Sequence, residues 1–554
     1  PALGSIFGRK AAIDEAHLAE IMKSEHGDPR DMSGFMGWYA NTLTWLAQHP
    51  TRTLAVAFAG VFAIMLWFGS TKHSSEFFLR QDPEYVNVYV KARGNLSPEA
   101  QNLLVRQVEQ KILGTKGVSA IYVRAGGYSS NGGPNSPPND TIGGISVDFE
   151  QYETRKALGL RGMDIVKDIR ERVANQPGLQ VEVRLPQGGP PVGKAIQVQL
   201  QSRDPAALYA AANLVHDKLA ADPQLIELED NRTSPGIEWN LAVDREAAGR
   251  YGVDVLSVGQ SIQSLTGGVL MGRFRPDDAD DELDIRVRFP ASDRTLAAID
   301  RLKITTPQGP VPASYFIKRI PAQQVTQIQR REGQRLVVIQ ANTIEGVAGN
   351  LKIQELRPWL QKAPIDPAVS WKFVGADEEG NKAAVFFGVA IIATIFMMSV
   401  ILLWQFNSFY GVAVTLSAVI LSTAGVLLGV QVNLFHTFDY MSVIMLGTGI
   451  VALFGVVVGH NIVLVDTFYQ LRRSGMYAAD EAAIRAAAQR FRPVLLTTLV
   501  TVVGLLPLMF QVHPDFRTGH IEYKAPGSEW WVQLSAAVVW GLTFATLLTL
   551  VLTP

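Results

Sequence analysis

Two apolar segments of the 554-residue sequence carry polar side chains that could handle protons. His460 and Asn461 lie within residues 441–465, and Asp466 closes that segment. At a helical rise of about 1.5 Å per residue, His460 would lie about 9 Å deeper than Asp466. An ionisable group inside a membrane span is costly and is therefore a functional candidate. Because histidine titrates near neutral pH, His460 suits a proton relay. The alternative is a neutral His460 hydrogen-bonded to a neighbouring helix or reaching the membrane interface.

The second segment opens with RFRPVLLTTLVTVVG, from residue 490. Spacings of seven and four residues place Arg490, Thr497 and Thr501 on one helix face. A threonine hydroxyl in a membrane helix often bonds to the carbonyl four residues back, and that alternative stays open for Thr501. Glycines in the preceding segment permit close contact between helices: Gly447, Gly449, Gly455 and Gly459. The pattern predicts a narrow polar path between two packed helices.

The elements that must position these side chains are apolar stretches long enough to cross a bilayer, which takes about 20 residues. They are residues 53–70, 384–406, 410–430, 441–465, 493–510 and 531–552. The region 71–383 contains no such stretch. Residues 384–406 carry no charge, which disfavours the alternative of core helices in a large soluble enzyme.

Lysine and arginine in short loops predict the orientation of the spans, because such loops stay cytoplasmic. One cluster lies in residues 466–492, at Arg472, Arg473, Arg485, Arg490 and Arg492. The other precedes the first span, at Arg9, Lys10, Lys23, Arg30 and Arg52. With six spans, both clusters can be cytoplasmic only if residues 71–383 are outside.

A cytoplasmic segment, residues 1–52, is predicted to end in an amphipathic helix along the membrane surface. The residues that recur at helical spacing are Phe35, Trp38, Tyr39, Thr42, Leu43 and Leu46. The alternative is a helix packed on protein.

The region 71–383 shows strand and helix signals in short alternation. Residues 85–91 and 118–124 read as strands around a helix at 97–113, with Ser97 as N-cap and Pro98 at the first position. The same plan recurs as strand, helix and strand at 196–201, 204–221 and 225–230. These patterns predict α+β subdomains built from split β-α-β motifs.

Composition and weak motifs exclude several classes of function. The net charge is −1, from 50 Lys+Arg and 51 Asp+Glu, which disfavours a nucleic-acid partner. Without cysteine, thiolate chemistry is excluded. The stretch GGPPVGK at residues 188–194 lacks the hydroxyl of a phosphate loop, since Ala195 follows. The acidic run at residues 276–284 lacks EF-hand spacing. We expect no cofactor and no resident metal.

The sequence resembles the second half of the resistance–nodulation–division (RND) permeases of Gram-negative bacteria. The resemblance rests on GVVVGHNIVLVD at residues 455–466, RFRPVLLTTLVTVVGLLPL at 490–508, GGPPVGKAIQVQL at 188–200, the span–loop–five-span layout, and the repeat-like ends PAL and LTP. It implies a membrane α-helical bundle of six spans, half of a twelve-span repeat, with a large periplasmic α+β region. Within that region it implies porter subdomains at 85–189 and at 190–235 with 322–376, and a docking subdomain at 236–321.

The resemblance also implies a function. Such permeases are proton antiporters, not enzymes, and sit in the inner membrane. They form homotrimers in membrane lipid and act with a periplasmic adaptor protein and an outer-membrane channel. We therefore expect proton-driven export of amphiphilic organic compounds, powered by the proton motive force.

Four residues are carried over as the implied proton relay: His460, Asn461, Arg490 and Thr497. Arg490 and Thr497 match the family's arginine and threonine, which face an aspartate pair on the other half. Anchored on Asn461, His460 occupies the position where drug pumps of the family carry lysine. That departure leaves two alternatives: His460 supplies a titratable cation, or the carboxylates and Arg490 act without it.

Three other readings stay open. A heavy-metal exporter shares this fold, but soft monovalent metals need sulfur ligands, and only Met163 and Met271 lie in residues 71–383. An RND-like auxiliary for lipid or protein export is the second. The third is that the chain is a fragment or a half-size subunit that pairs to rebuild twelve spans.

Overall fold

The computed structural model describes residues 28–554, except 33, 80, 95, 127–135, 188, 233–235, 278–280, 324–327, 345, 439, 515, 517–518, 520 and 526. The predictions that rest on Arg9, Lys10, Lys23 and the opening PAL therefore lie outside the described residues. So do parts of the phosphate-loop-like stretch and of the acidic run.

The first two α-helices of the described chain are α1 (Phe35–Gln48) and α2 (Pro50–Ser70), and a short 3-10 helix (Pro29–Asp31) precedes them. Pro50 occupies the first turn of α2, where a backbone N–H has no helical partner to lose. The predicted first span thus begins three residues earlier than its apolar run. A two-residue strand, β1 (Ser75–Glu76), follows α2.

The amphipathic pattern of α1 serves two surfaces. Tyr39, Ala40 and Leu43 are buried against the helical bundle, and the Tyr39 hydroxyl donates to the carbonyl of Leu550 at 2.6 Å. On the other side Trp38, which is 62% exposed, and its neighbours face outward. The helix therefore packs on protein and also presents an aromatic face, which suits a membrane interface.

The next part of the chain, which we call the first sheet module, is a four-stranded antiparallel sheet in the order β3-β4-β2-β5 with helices against it. Its elements are β2 (Tyr85–Ala92), α3 (Pro98–Ile112), β3 (Val118–Ala125), β4 (Thr141–Phe149), α4 (Tyr152–Ala157), α5 (Gly162–Val173) and β5 (Leu179–Arg184). Val86, Val88 and Val90 alternate into its core. Ser97 caps α3 as predicted, its side chain accepting from the N–H of Ala100 at 3.2 Å.

What we call the second sheet module is a five-stranded sheet in the order β14-β15-β6-β16, with β7 also paired to β15. Its elements are β6 (Ile196–Ser202), α6 (Pro205–Ala220), β7 (Leu225–Asp230), β14 (Arg330–Arg331), β15 (Gln334–Thr343), α10 (Gly349–Lys362) and β16 (Ser370–Phe373). β15 returns from a distant part of the chain to pair with β6, so the segment between β7 and β14 is an insertion.

The described residues of the insertion form three antiparallel strand pairs, β8–β13, β9–β10 and β11–β12. Its elements are β8 (Ile237–Val243), α7 (Arg245–Arg250), α8 (Val255–Leu265), β9 (Val269–Phe274), β10 (Leu283–Val287), α9 (Leu296–Arg301), β11 (Lys303–Thr306), β12 (Gly309–Pro312) and β13 (Ile317–Gln323). Pairing of β8 with β13 brings the two ends of the insertion together.

The rest of the chain is mainly helical. Its elements are α11 (Ala376–Phe406), α12 (Phe409–Val432), β17 (Met441–Ser442), α13 (Val443–Arg473), α14 (Ala479–Met509), β18 (Val512–Pro514), β19 (Ile521–Tyr523) and α15 (Glu529–Leu552). Among the described residues, α2 and five of these helices are long and apolar enough to cross a membrane. All six predicted spans are therefore confirmed as helices.

The loop predicted at residues 466–492 is much shorter in the structure. α13 continues to Arg473 and α14 begins at Ala479, so only residues 474–478 connect them. Hydropathy predicts where the chain leaves the apolar layer. The helix itself can extend further, as long as the residues that follow have a high helix propensity. Residues 479–488 are rich in alanine, the best helix former.

Candidate functional site

Helix α13 is fixed in the bundle at its start and along its length. The Ser442 side chain caps it by accepting from the N–H of Met445 at 3.3 Å. At Gly449, an added Cβ would lie 3.1 Å from the Cβ of Ala537 on α15. The glycine therefore allows the two helices to approach closely, as predicted.

Asn461 ties α13 to α12. The side chain is completely buried, and Nδ2 donates to the carbonyls of Val414 at 3.1 Å and Thr415 at 3.3 Å. Two carbonyl acceptors settle which side of the amide is the nitrogen. The Oδ1 atom is buried with no hydrogen-bond partner among the described residues. Asn461 thus acts as a cross-link between helix backbones.

His460, the preceding residue, is only partly buried and meets a different pair of helices. Its Nδ1 lies 3.5 Å from the Oγ1 of Thr498 on α14. That oxygen lies 3.0 Å from the Oγ1 of Thr546 on α15. Thr498 and Thr546, which we call the hydroxyl pair, are both buried. Three helices therefore contribute to one polar seam.

Thr497 does not contribute to that seam. It lies on an exposed side of α14, and its hydroxyl bonds to the carbonyls of Pro493 and Val494, both at 3.0 Å. The hydroxyl of Thr501 likewise bonds to the carbonyl of Thr497 at 2.9 Å. The local alternative considered for Thr501 is thus the one observed.

Arg490 contacts α13 nearer the C-terminal end of that helix than His460 does. Its Nε donates to the Oγ1 of Thr467 at 2.7 Å. Thr467 is seven residues beyond His460, which is about 10 Å along the helix. The structure therefore brings Arg490 and His460 onto the same pair of helices but not into contact with each other.

The seam contains two threonines that the sequence argument missed. Thr498 follows Thr497 directly, and a helix face defined by spacing from Arg490 selects Thr497, which lies outside the seam. Thr546 lies in an apolar run, and nothing in its spacing marks it. The sequence signal for Thr498 is the Thr-Thr dipeptide. Successive residues of an α-helix are rotated by roughly 100°, so the two hydroxyl groups must face different neighbours.

Beside His460, α13 presents an uncovered face of small residues. Gly455 and Gly459 are exposed, and an added Cβ at either would meet no atom within 4 Å. Within the described part of the chain, no three or more His, Asp or Glu side chains gather as a metal site. The candidate functional site of the bundle is therefore the polar seam at His460 together with the open glycine face beside it.

Membrane-length helices with a titratable side chain between them, joined to two sheet modules, define a polytopic membrane protein. The sequence matches the family model described as the AcrB/AcrD/AcrF family over residues 29–554. The chain belongs to that family of RND permeases, which are transporters and not enzymes, and the predicted RND membership is confirmed.

Relatives with curated names are distant in sequence but match nearly the whole chain. Multidrug resistance protein MdtC from Cronobacter sakazakii is 24% identical over 98% of this chain and 50% of its own length. MdtC from Escherichia coli is 25% identical over 93% of this chain and 48% of its length. The chain therefore spans about half the length of these relatives.

A solved structure shows the same fold. A heavy metal efflux pump superposes with a TM-score of 0.75 at 23% identity, over 93% of this chain and 51% of that one. At this identity the likeness establishes the RND permease fold alone.

Proposed function

We propose that this chain is the second half of a proton-driven exporter of amphiphilic organic compounds in the bacterial inner membrane. The family membership and the multidrug resistance relatives support export of organic compounds. The observation that carries the proton coupling is His460, an ionisable side chain held between membrane-length helices beside an uncovered face.

The relay residues take different roles in this proposal. His460 binds and releases the proton, and Thr498 orients its ring. Arg490 supplies a fixed positive charge nearer the cytoplasmic end. Asn461 keeps α13 against α12 so that His460 stays in place. Thr497, on the exposed side of α14, faces the other six spans, which supply the carboxylates.

The same proposal covers the large region between α2 and α11. We place it in the periplasm, with the two sheet modules as porter subdomains and the insertion as the docking subdomain. Three copies of the complete permease would assemble, and the docking subdomains would meet an adaptor and an outer-membrane channel. The arginines at the adjoining ends of α13 and α14, Arg472, Arg473 and Arg485, support this orientation.

The test is substitution of His460 in the full-length permease. We expect His460→Ala to lower the export of a fluorescent dye about tenfold or more, because the titratable group is lost. His460→Lys should retain more export than His460→Ala, since lysine restores a cation there. The matched control is His216→Ala, at a histidine on α6 outside the bundle. Wild-type export by a folded His460→Ala trimer would contradict the proposed relay.

A further inference from the structure

One aromatic ring contacts both a membrane-length helix and the segment that joins the two sheet modules. That segment, which we call the intermodule linker, covers residues 185–195 between β5 and β6. The ring belongs to Phe78, in the stretch between β1 and β2. Both of its neighbours in sequence, Phe77 and Leu79, are buried. The backbone that carries the ring is therefore anchored in the protein.

Gly189 of the intermodule linker lies close against the Phe78 ring. A Cβ added at Gly189 would lie 2.6 Å from Cε1, 2.7 Å from Cζ and 2.8 Å from Cδ1 of Phe78. Carbon atoms in contact are normally about 3.5 to 4.0 Å apart, so a side chain at this position must displace the ring or the linker. Gly189 also has a φ of 76°, which favours glycine for a second, independent reason.

Hydrogen bonds connect Gly189 to the start of the second sheet module. The Oε1 of Gln187 accepts from the N–H groups of Val192 at 3.0 Å and Gly193 at 3.1 Å. From β6, the Nε2 of Gln197 donates to the carbonyl of Lys194 at 2.9 Å. The linker is therefore a loop closed on itself and tied to β6. It cannot absorb a displacement at Gly189 without losing some of these bonds.

Buried ion pairs join the end of the linker to both modules. Lys194 Nζ lies 3.2 Å from Oε1 of Glu182 in β5 and 2.9 Å from Oε2 of Glu229 in β7. Arg184 of β5 binds the same Glu182 oxygen at 2.7 Å. Breaking a buried pair by moving one partner away is strongly destabilising. A displaced linker would therefore move one sheet relative to the other.

The Phe78 ring also meets the start of α15. Its partner there is Trp530 in the first turn, with ring centroids 5.0 Å apart and planes at 75°, an edge-to-face contact. A second contact lies nearby, because the Tyr152 hydroxyl of α4 donates to the carbonyl of Tyr523 at 2.8 Å, just before α15. The start of α15 is thus docked on the first sheet module at two points.

Helix α15 extends from this contact into the helical bundle. It packs against α12, α13 and α14, and it contributes Thr546 to the hydroxyl pair beside His460. Thr546 lies 16 residues after Trp530, which is about 24 Å along the helix. Close-packed interiors transmit displacement instead of absorbing it. A shift of α15 in the bundle would therefore reach the Phe78 ring.

We propose that Phe78 is a positioning residue: its ring, in contact with Trp530 and Gly189, sets the relative position of the two sheet modules and makes it depend on where α15 begins. The contact is steric and needs neither a ligand nor a change of charge. The inference concerns the geometry between the modules and does not depend on the proposed export function.

Distance measurement between the modules tests the proposal in the full-length permease in liposomes, on a background free of cysteine. Spin labels would be attached at two exposed helix positions, through Gln107→Cys in α3 and Ala220→Cys in α6. Gly189→Ala should change the mean distance by about 1 Å or more, because the new methyl group must move out to contact distance from the ring.

The matched control for this variant is Gly178→Ala. Gly178 has nearly the same φ, 74°, but an added Cβ would meet no atom of the described residues within 4 Å. The control therefore carries the same backbone strain without the steric contact, and its distance should equal that of the wild type.

Removal of either ring tests the other two parts of the contact. Phe78→Ala should broaden the distance distribution, because the linker loses the surface that positions it, and adding Gly189→Ala should then have no further effect. Trp530→Ala should broaden the distribution as well. Its matched control is Trp531→Ala, at the next residue of α15, whose side chain is 52% exposed and should leave the distribution unchanged.

Equal distances in Gly189→Ala and Gly178→Ala would overturn the proposal. So would a Gly189→Ala shift that persists in the Phe78→Ala background, because it would come from backbone strain alone. A wild-type distribution in Trp530→Ala would overturn the link to α15 even if Gly189→Ala fails to fold. None of these readouts requires transport, so loss of export in His460→Ala leaves the result unaffected.

Discussion

His460 and Asn461 are neighbours in sequence, yet a helix turns them towards different partners. The amide of Asn461 has two backbone acceptors on α12 and is fixed. The imidazole of His460 has one long contact to a hydroxyl and an open side. A group that must exchange protons needs such an open side, whereas a group that holds helices together does not.

The hydroxyl pair gives a prediction at this scale. Thr498→Val should lower export about fivefold, because one hydrogen bond of about 1 kcal/mol no longer orients His460. The maximal rate of dye export should fall while the half-saturating dye concentration stays the same. Thr498→Ser keeps the hydroxyl and should therefore retain the export of the wild type. Thr501→Val is the matched control, since that hydroxyl bonds only to its own helix; equal losses in both valine variants would argue against an orienting role.

At the scale of elements, the start of α13 is held by two neighbours. The Oε1 of Gln533 on α15 accepts from the N–H of Ser442 at 2.7 Å, and its Nε2 donates to the carbonyl of Tyr440 at 2.7 Å. β17, just before α13, pairs in parallel with β1. Asn350 of α10 then donates to Oγ of Ser75 in β1 at 2.8 Å.

Replacement of Gln533 should loosen this end of α13. Gln533→Leu leaves a buried N–H and a buried carbonyl without their partner, at a cost of about 2 to 4 kcal/mol in the free energy of unfolding. In Gln533→Leu, hydrogen exchange of the Ser442 backbone N–H should become faster, and the increase should be larger there than at Asn461. Ser535→Ala should change little, since that hydroxyl bonds only to carbonyls of its own helix. Unchanged exchange at Ser442 in Gln533→Leu would show that β1 alone holds the helix.

Sequence patterns predict these elements unevenly. Apolar runs locate the spans because the bilayer imposes length and composition, and alternation locates β2 because one face is buried. The choice between Thr497 and Thr498 depends on helix rotation within the bundle, which spacing from Arg490 does not specify. The buried ion pairs among Glu182, Arg184, Lys194 and Glu229 depend on two sheets meeting, and none of these residues is unusual in its own segment.

At the scale of the whole molecule, the helices are covered unequally. α12 and α15 are the most buried of the membrane-length helices, whereas few residues of α2 and α11 are buried. Exposed apolar surface of that extent requires lipid or further helices. This agrees with a chain that spans about half the length of its relatives.

Sidedness gives a prediction at this scale, because the sequence has no native cysteine. On a full-length background free of cysteine, Lys218→Cys on α6 should react with a membrane-impermeant maleimide in cells with a permeabilised outer membrane. Met476→Cys, which lies in the connection between α13 and α14 and is 73% exposed, should react only after the inner membrane is opened. The reverse labelling pattern would place the sheet modules in the cytoplasm and end the exporter proposal.

The parallel pairing of β1 with β17 has a mechanical consequence. The helix that carries His460 follows β17 directly, and β17 is hydrogen-bonded to β1, the strand that leads into the sheet modules. It cannot travel along its own axis without either breaking that ladder or pulling the strand along. A displacement of α13 by a single helical rise, about 1.5 Å, would therefore act through β17 and β1 on the hydrogen bond between Ser75 and Asn350 of α10.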